Sequence, residues 1–272
     1  AALTLDAGGG VHVTMLSEGQ RVVLTTERFH ALADIEVDRQ SADRHQGRHD
    51  RLFAGGHVGA ELVDAFGAHV QIDAATLDVC CSSLRVPTDE SWLSLSERPG
   101  WLRLRGRDST FSLFTQSLIA RRVQHFQFVA ETCLEFGPTH FTQMAGLICY
   151  YDTRQHFYLR VTHDEKLGKV LGVVLTDDEV YDELAASQIA INEWKQVFLR
   201  AAVAGVSLQF SASSDGQSWR DIGPVLDFSK LSDDYGSTLR FTGAMIGVCA
   251  QDVGGTHAIA DFDYFGYQPV NA

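Results

Sequence analysis

The sequence predicts an all-β fold, a two-sheet antiparallel β-sandwich with a short N-terminal extension. Three observations support this: a long apolar hairpin near the middle of the chain, further short strands separated by turn signals, and no convincing long helix. Many short strands at regular spacing are typical of sandwiches and barrels. With 272 residues, 45% hydrophobic and 21% charged, the chain has an ordinary globular composition.

The hairpin is Gln143–His163, QMAGLICYYDTRQHFYLRVTH, which has a polar turn at residues 152–155. The first strand is apolar at most positions, as expected for a strand that is covered on both faces. The second strand has a period of two. Its two faces carry Phe157, Leu159 and Val161, and Tyr158, Arg160 and Thr162.

The same kind of apolar pattern predicts further strands along the chain. They are predicted at Trp101–Arg105, Phe126–Glu131, Lys169–Leu175, Val197–Val203, Ser207–Ser211, Thr242–Ala250 and Ala260–Tyr267. Asp215-Gly216 is a hairpin turn signal because both residues tolerate positive φ, and Trp219 is expected to return into the core. In the last strand, Phe262 and Tyr264 alternate with two aspartates, which predicts that the two rings share a face.

The first 72 residues differ from the rest. Val11–Leu16 and Arg21–Thr26 predict a pair of strands, whereas the stretch near residues 39–59 is polar and glycine-containing, as in a linker. We therefore predict a boundary near residue 72, with an N-terminal segment of uncertain structure at 1–72 and the sandwich at 73–272.

The net charge argues against some classes of partner, and the cysteine content indicates a cellular compartment. A formal net charge of −13 argues against nucleic acid or an anionic membrane as partner. No apolar run reaches the roughly 18 residues needed to span a bilayer, and the start AALTLDAGGG does not resemble a secretory leader. The odd set of five cysteines has no CxxC spacing, which favours free thiols in a reducing compartment, the cytoplasm.

The second segment resembles the C-terminal sandwich of the β-xylosidases and α-L-arabinofuranosidases of glycoside hydrolase family 43, a concanavalin A-like jelly roll. The matching phrases are collinear from about Asp73 to Gln268. They are SSLRVPTDESWLSLSERPGWLRLRGRDS (Ser82–Ser109), QSLIARRVQHF (Gln116–Phe126), QMAGLICYYDTRQHFYLRVTHDEKLGKVLG (Gln143–Gly172), SSDGQSWRDIGPVLDFSKLSDDYG (Ser213–Gly236), FTGAMIGVCAQD (Phe241–Asp252) and ADFDYFGY (Ala260–Tyr267).

The resemblance implies an accessory role. In that family an N-terminal five-bladed propeller carries an Asp base, a Glu acid and a pKa-tuning Asp, and none of these can be assigned here. Residues 1–72 are too few for a propeller and do not read as the family's connector. The implied partners are a family 43 catalytic propeller, a xylo-oligosaccharide at the shared pocket and further copies of the chain. The docking surface is expected to be an exposed apolar patch.

Phe241 is the candidate substrate-binding residue. In related enzymes a loop of the sandwich brings an aromatic side chain to the rim of the propeller's pocket, and Phe241 has the matching motif position. Neighbouring Tyr235 is the alternative. Phe241 could instead begin a buried strand.

Other chemistry-bearing residues have simpler explanations. Asp261 and Asp263 are expected on the solvent face of the last strand rather than as a catalytic pair. The acidic turns 177–179 and 233–234 could supply oxygen ligands to a structural calcium ion, but neither has a spaced ligand loop. His45 and His49 have a metal-ligand spacing in a polar segment without a third ligand. No cofactor is therefore expected. Four tryptophans are expected in the core: Trp92, Trp101, Trp194 and Trp219.

Two other functions stay open. An independent carbohydrate-binding module would need a row of exposed aromatic rings on one sheet. Alternatively, the chain is part of an active glycosidase whose catalytic residues lie outside it.

Overall fold

The computed structural model describes residues 77–236 and 240–270, together with the backbone of five strands between residues 2 and 71. The chain forms two compact units, Ala1–Gly47 and Arg48–Ala272. The first contains a three-stranded antiparallel sheet, which confirms the predicted strand pair. The predicted linker near 39–59 and the boundary near 72 lie outside the described residues, so they stay predictions.

The described chain is dominated by strands. In chain order they are β1 (Ala2–Leu5), β2 (Val11–Ser17), β3 (Gln20–Thr26), β4 (Glu61–Val63), β5 (His69–Gln71), β6 (Ser82–Ser83), β7 (Leu93–Ser94), β8 (Leu102–Arg105), β9 (Ser117–Arg122), β10 (Gln127–Phe136), β11 (Gln143–Asp152), β12 (Gln155–Asp164), β13 (Gly168–Asp177), β14 (Val180–Glu183), β15 (Ile189–Ala190), β16 (Val197–Ala204), β17 (Ser207–Ser213), β18 (Arg220–Asp227), β19 (Met245–Asp252) and β20 (Ile259–Pro269). Two short 3-10 helices are Ala185–Ser187 and Phe228–Leu231. No helix among the described residues is long and apolar enough to cross a membrane.

The second unit contains the predicted β-sandwich. One sheet has the order β18-β17-β16-β10-β20-β8-β7, and the other has the order β14-β13-β12-β11-β19-β9-β6, with β15 added beside β13. The strand pairs in both sheets are antiparallel. The separate pair β4-β5 completes the strands of this unit. The fold class predicted from the sequence is confirmed.

The core lies where the inner faces of the two sheets meet. Alternation along β16 places Val197, Leu199, Ala201 and Val203 in it, as predicted. The predicted hairpin is β11-β12, in which Leu147 lies opposite Leu159. Its inner residues join the main core, while Tyr150 and Tyr158 belong to a second apolar cluster on the outer face. That cluster explains why the hairpin is apolar on both sides.

The last strand differs from the prediction at a bulge. Cys133 of β10 pairs with Tyr264, but the next residue, Leu134, pairs with Phe262, so β20 has one extra residue. A bulge reverses the alternation beyond it. Phe265 therefore points into the core, and the hydroxyl of Tyr264 donates to Glu131 on the outer face. The prediction that Phe262 and Tyr264 share a face is wrong.

The tryptophans also divide between two environments. Trp92 is fully buried in the core and Trp194 packs against it, as predicted. Trp101 and Trp219 are half-buried instead, and the guanidinium groups of Arg98 and Arg200 lie 3.6 Å and 3.5 Å from their ring centroids. Arginine stacking covers these rings with charged groups rather than with core side chains.

Candidate functional site

The candidate site is the loop that connects the second 3-10 helix to β19, of which residues 232–236 and 240–244 are described; we call it the Phe241 loop. Phe241 is 81% exposed and precedes β19 by four residues. It therefore does not begin a buried strand. Tyr235 is half-buried, and the ammonium group of Lys230 lies 5.5 Å from its ring centroid. Of the two candidate rings, Phe241 is the one whose face is open to solvent.

A hydrogen-bonded anchor holds the backbone beside Phe241. Tyr151 is the last core residue of β11, and its hydroxyl donates to Asp233 Oδ1 at 2.5 Å. The same carboxylate oxygen accepts from the backbone N–H of Gly243 at 3.0 Å, and the Tyr151 oxygen accepts from that of Thr242 at 3.1 Å. Burial and the Asp233 carboxylate raise the pKa of Tyr151, so the phenol stays protonated and keeps donating. The anchor ties the loop to the core.

The turn at Gly243 depends on glycine. Its φ of +72° lies in the left-handed region, which other residues rarely adopt. This conformation directs two successive N–H groups, those of Thr242 and Gly243, toward the Tyr151–Asp233 pair.

A buried arginine provides a second attachment. Arg240 is 6% exposed, and its Nη2 lies 3.4 Å from Asp178 Oδ1 in the turn between β13 and β14. Its Nε lies 3.9 Å from Asp152 Oδ2 in the β11-β12 turn. Opposite charges in a partly buried setting attract more strongly than they do in bulk water. Arg240 therefore connects the Phe241 loop to two hairpin turns of the eight-stranded sheet.

The same turns also hold the preceding 3-10 helix. Lys230 donates to Asp177 Oδ2 at 2.5 Å, and Gln155 Nε2 donates to Asp177 Oδ1 at 3.1 Å. Burial tends to raise the pKa of Asp177, but these two donors outweigh it and hold the pKa below its usual range. The acidic turn at residues 177–179 is thus neutralised by protein cations. Among the described residues, no group of three or more His, Cys, Asp or Glu side chains could hold a metal ion.

Two more exposed apolar side chains lie at this end of the sandwich. Val123 N–H donates to Ala244 O at 3.0 Å, which joins the loop to the β9-β10 corner. Phe126 in that corner is 89% exposed. Its carbonyl accepts from Gly205 at 2.7 Å, beside Val206, which is 62% exposed. We call this surface, with Phe241, Phe126 and Val206, the Phe241 end.

The other sequence candidates have structural roles where the structure describes them. Asp261 is 7% exposed and not solvated, because Arg103 Nε and Nη2 donate to its two oxygens at 2.8 Å and 2.9 Å. Arg98 adds a third contact at 2.9 Å, and Asp263 is half-buried. The expectation of a solvent-facing pair is therefore wrong for Asp261. His45 and His49 lie outside the described residues.

The cysteines and the two histidines of the β11-β12 hairpin also lie at defined positions in the sandwich. Cys80, Cys81, Cys149 and Cys249 are free thiols, and Cys133, Cys149 and Cys249 are buried. His156 is buried within the hairpin, whereas His163 is half-buried.

The anchoring residues could not be found from the sequence. Tyr151 and Asp233 are 82 positions apart, and Arg240 lies 62 positions from Asp178. Local periodicity predicts the strands but contains no information on such distant pairs. The collinear resemblance was the only signal that indicated Phe241.

Comparison with known proteins identifies the sandwich. The family described as "Beta xylosidase C-terminal Concanavalin A-like domain" matches residues 71–268, in agreement with the resemblance from Asp73 to Gln268. A putative β-xylosidase of Escherichia coli K12 is 39% identical over 263 residues, 95% of this chain and 49% of the relative. A β-xylosidase of Bacillus subtilis 168 is 39% identical over 201 residues, 73% of this chain and 38% of the relative.

One solved structure is similar to this chain over almost its whole length. The crystal structure of xylan β-1,4-xylosidase from Bacillus halodurans C-125 has a TM-score of 0.73 and 32% identity, and the match covers 98% of this chain and 52% of that one. Because the E. coli alignment includes 95% of the chain, the likeness also covers most of residues 1–72, which were not expected to resemble the family. The chain spans about half or less of the length of these relatives. It belongs to the family of β-xylosidase C-terminal concanavalin A-like domains.

Proposed function

We propose that this chain is the non-catalytic sandwich module of a β-xylosidase or α-L-arabinofuranosidase acting on xylan-derived oligosaccharides. In this proposal it packs on a catalytic propeller that supplies the acid and the base, and Phe241 forms part of the mouth of the active site. Family membership and the partial coverage of longer relatives support a module that works with another domain.

The observation that carries the proposal is an exposed aromatic ring on a firmly held loop. Phe241 projects into solvent, while its neighbours are fixed by Tyr151, Asp233 and Arg240. Exposing a phenylalanine loses the free energy that its burial would provide, so an anchored and exposed ring favours a partner surface. An aromatic face can pack against the C–H face of a sugar or fill a pocket of a neighbouring domain.

Two further exposed apolar residues at the same end as Phe241 support a docking surface there. Phe126 and Val206 are exposed there as well. Exposed apolar side chains that cluster are typical of interaction sites. The catalytic domain is the occupant that we propose for this surface, and contacts between copies of the chain are a separate proposal.

The first test uses the purified chain alone with aryl β-xyloside and aryl α-arabinofuranoside. We expect no turnover above the buffer rate, because the carboxylates that perform glycoside hydrolysis are proposed to lie in the other domain. Turnover that co-purifies with the chain would overturn the non-catalytic assignment and favour an active hydrolase.

The second test uses a chimera in which this chain replaces the matching segment of the E. coli relative. We expect Phe241→Ala to raise KM for xylobiose about fivefold with little change in kcat, as for the loss of roughly 1 kcal/mol of uniform binding. Val253→Ala, an exposed apolar change at the opposite end, is the control and should leave both constants unchanged. Equal kinetics for the two variants would contradict the role of Phe241.

An independent carbohydrate-binding module is less well supported. It would need a row of exposed rings on a sheet, but Tyr150 and Tyr158, on the outer face of the eight-stranded sheet, are each 2% exposed. The free thiols of Cys80, Cys81, Cys149 and Cys249 support a reducing compartment, and the cytoplasm is the one that we propose.

A further inference from the structure

Two adjacent cysteines lie in the turn just before β6, the edge strand of the eight-stranded sheet. Cys80 and Cys81 are partly exposed free thiols, whereas Cys149 and Cys249 are buried. Thiolates are the nucleophiles and soft ligands of proteins, and their reactivity requires partial exposure. The proposed role of Phe241 does not involve this pair.

Asp78 holds the backbone of this turn. The N–H of Cys80 donates to Asp78 Oδ1 at 2.8 Å, and the N–H of Cys81 donates to the Asp78 carbonyl at 2.9 Å. Asp78 is 9% exposed, and both cysteines pack against the main core. The pair is therefore carried by a fixed segment, which reduces the conformational entropy that is lost when both thiols bind one acceptor.

The two side chains also contact each other. The Cys81 thiol donates a hydrogen bond to the Cys80 sulfur, and this bond lowers the pKa of Cys80 although burial opposes it. The Arg121 guanidinium acts in the same direction as the hydrogen bond. The hydrogen bond to Cys80, followed by burial, raises the pKa of Cys81 above its ordinary value. Cys80 is thus the thiol that ionises first, and Cys81 is the second thiol within its reach.

The adjacent position argues against two familiar products of paired cysteines. The peptide bond between Cys80 and Cys81 is trans, which sets their Cα atoms about 3.8 Å apart, whereas a disulfide usually spans about 4.4–6.8 Å. Structural zinc takes four ligands, and in the described part of the chain no group of three or more His, Cys, Asp or Glu could hold a metal ion. The pair suits an acceptor that needs only two sulfurs.

Trivalent arsenic meets these requirements. It is a soft centre that bonds to thiolate sulfur, it binds two thiolates at a bent angle, and it keeps a third substituent of its own. Arsenous acid and the organic arsenoxides are neutral at pH 7, so the formal net charge of −13 does not repel them.

We propose that Cys80 and Cys81 form a dithiol site that binds trivalent arsenicals. With an arsenoxide R–As=O, the Cys80 sulfur attacks arsenic first and the Cys81 sulfur closes the ring. Two As–S bonds form, the As=O bond breaks, and the oxygen leaves as water with the two thiol protons. Arsenic stays trivalent throughout, so the reaction needs no oxidant or reductant.

The test uses phenylarsine oxide, added in equimolar amount to the folded, reduced chain. We expect a single adduct by intact-protein mass spectrometry, with the mass of the reagent less one water. Excess mercaptoethanol should leave the adduct in place, whereas dimercaptopropanol should remove it. After unfolding and treatment with iodoacetamide, peptide mapping should show that the reagent protects Cys80 and Cys81, while Cys149 and Cys249 are alkylated equally with and without it.

The serine variants test the need for both thiols. Cys80→Ser and Cys81→Ser should each lower the concentration of mercaptoethanol that removes the adduct by about 100-fold or more, because a single thiol loses the gain from two linked bonds. Ser82→Ala is the matched control: it alters an exposed neighbour and keeps both thiols, so it should behave as the parent does.

Three results would overturn the proposal: no adduct on the parent chain, protection of cysteines other than this pair, or equal resistance to mercaptoethanol in the parent and both serine variants. The peptide mapping is done on the parent chain, so it decides the site even if a serine variant fails to fold. None of these readouts depends on glycosidase activity, so failure here would leave the proposed function standing.

Discussion

His156 shows how a single buried side chain makes stability depend on pH. Its Nδ1 donates to the carbonyl of Asp152 at 3.1 Å, so in the neutral ring Nε2 accepts from the Thr176 hydroxyl at 3.1 Å. Tyr150 stacks on the ring, and Phe111 meets it edge-on. Burial lowers the pKa of His156 from 6.5 to about 4. The folded protein therefore keeps this imidazole neutral.

The expected consequence is acid sensitivity between pH 6.5 and 4. The unfolded chain binds a proton at His156 in this range and the folded chain does not, so the stabilisation is complete above pH 6.5 and is lost as the pH falls toward 4. The full effect is on the order of 3 kcal/mol. Urea unfolding of His156→Gln and the parent at several pH values checks this. The variant should show a shallower loss of stability, and equal slopes would refute the assignment.

Tyr151 is the residue whose hydroxyl matters most for the Phe241 loop. Tyr151→Phe removes one donor and one acceptor, and it should lower the free energy of unfolding by about 1 kcal/mol. The amide protons of Thr242 and Gly243 should then exchange faster, as measured by hydrogen exchange. Tyr158→Phe is the control, because its hydroxyl donates to Cys249 O at 2.9 Å elsewhere in the sheet. If both variants left exchange at residues 242–243 unchanged, the Tyr151 anchor would be refuted.

At the level of elements, the eight-stranded sheet depends on close contact between β9 and β19. A Cβ added at Gly247 would lie 2.0 Å from Ile119 O and 2.5 Å from Ala120 Cα, both backbone atoms of β9. Backbone atoms of β9, which is paired with β19 on one side and with β6 on the other, cannot move aside cheaply. Gly247→Ala should therefore cost on the order of 3 kcal/mol or more in unfolding free energy.

The control for this prediction is Gly137→Ala. A Cβ at Gly137 would have no atom within 4 Å, so stability should stay within about 0.5 kcal/mol of the parent. Thermal and urea unfolding of the two variants compares them directly. A mild effect of Gly247→Ala would show that β9 and β19 are not held at this distance.

The strands also show which structural features could be predicted from the sequence and which could not. The β11-β12 hairpin and the inward face of β16 follow from residues two apart along one strand, so local alternation predicted both. The face of Tyr264 could not be predicted, because the bulge that turns it outward arises where β20 pairs with Cys133 and Leu134 of β10. The ion pair of Asp261 with Arg103 likewise depends on strands that are adjacent only in the sheet.

For the whole molecule, the sequence resemblance predicted the family and indicated Phe241 but could not show how that residue is held. The anchor combines Tyr151 at the end of one strand, Asp233 and Gly243 from a distant loop, and Arg240 over two turns. Each contact joins segments that only the folded sandwich brings together.

Projection of Phe241 into the pocket of a catalytic domain is tested most directly by site-specific photo-crosslinking. In the chimera with the E. coli relative, Phe241→p-benzoylphenylalanine should crosslink to peptides of the other half, and saturating xylobiose should reduce the yield. The same replacement at Phe141, an exposed ring just before β11 at the opposite end, should not crosslink to that half. Crosslinks from position 241 only to the sandwich itself, unaffected by xylobiose, would contradict a role for Phe241 at the mouth of the active site.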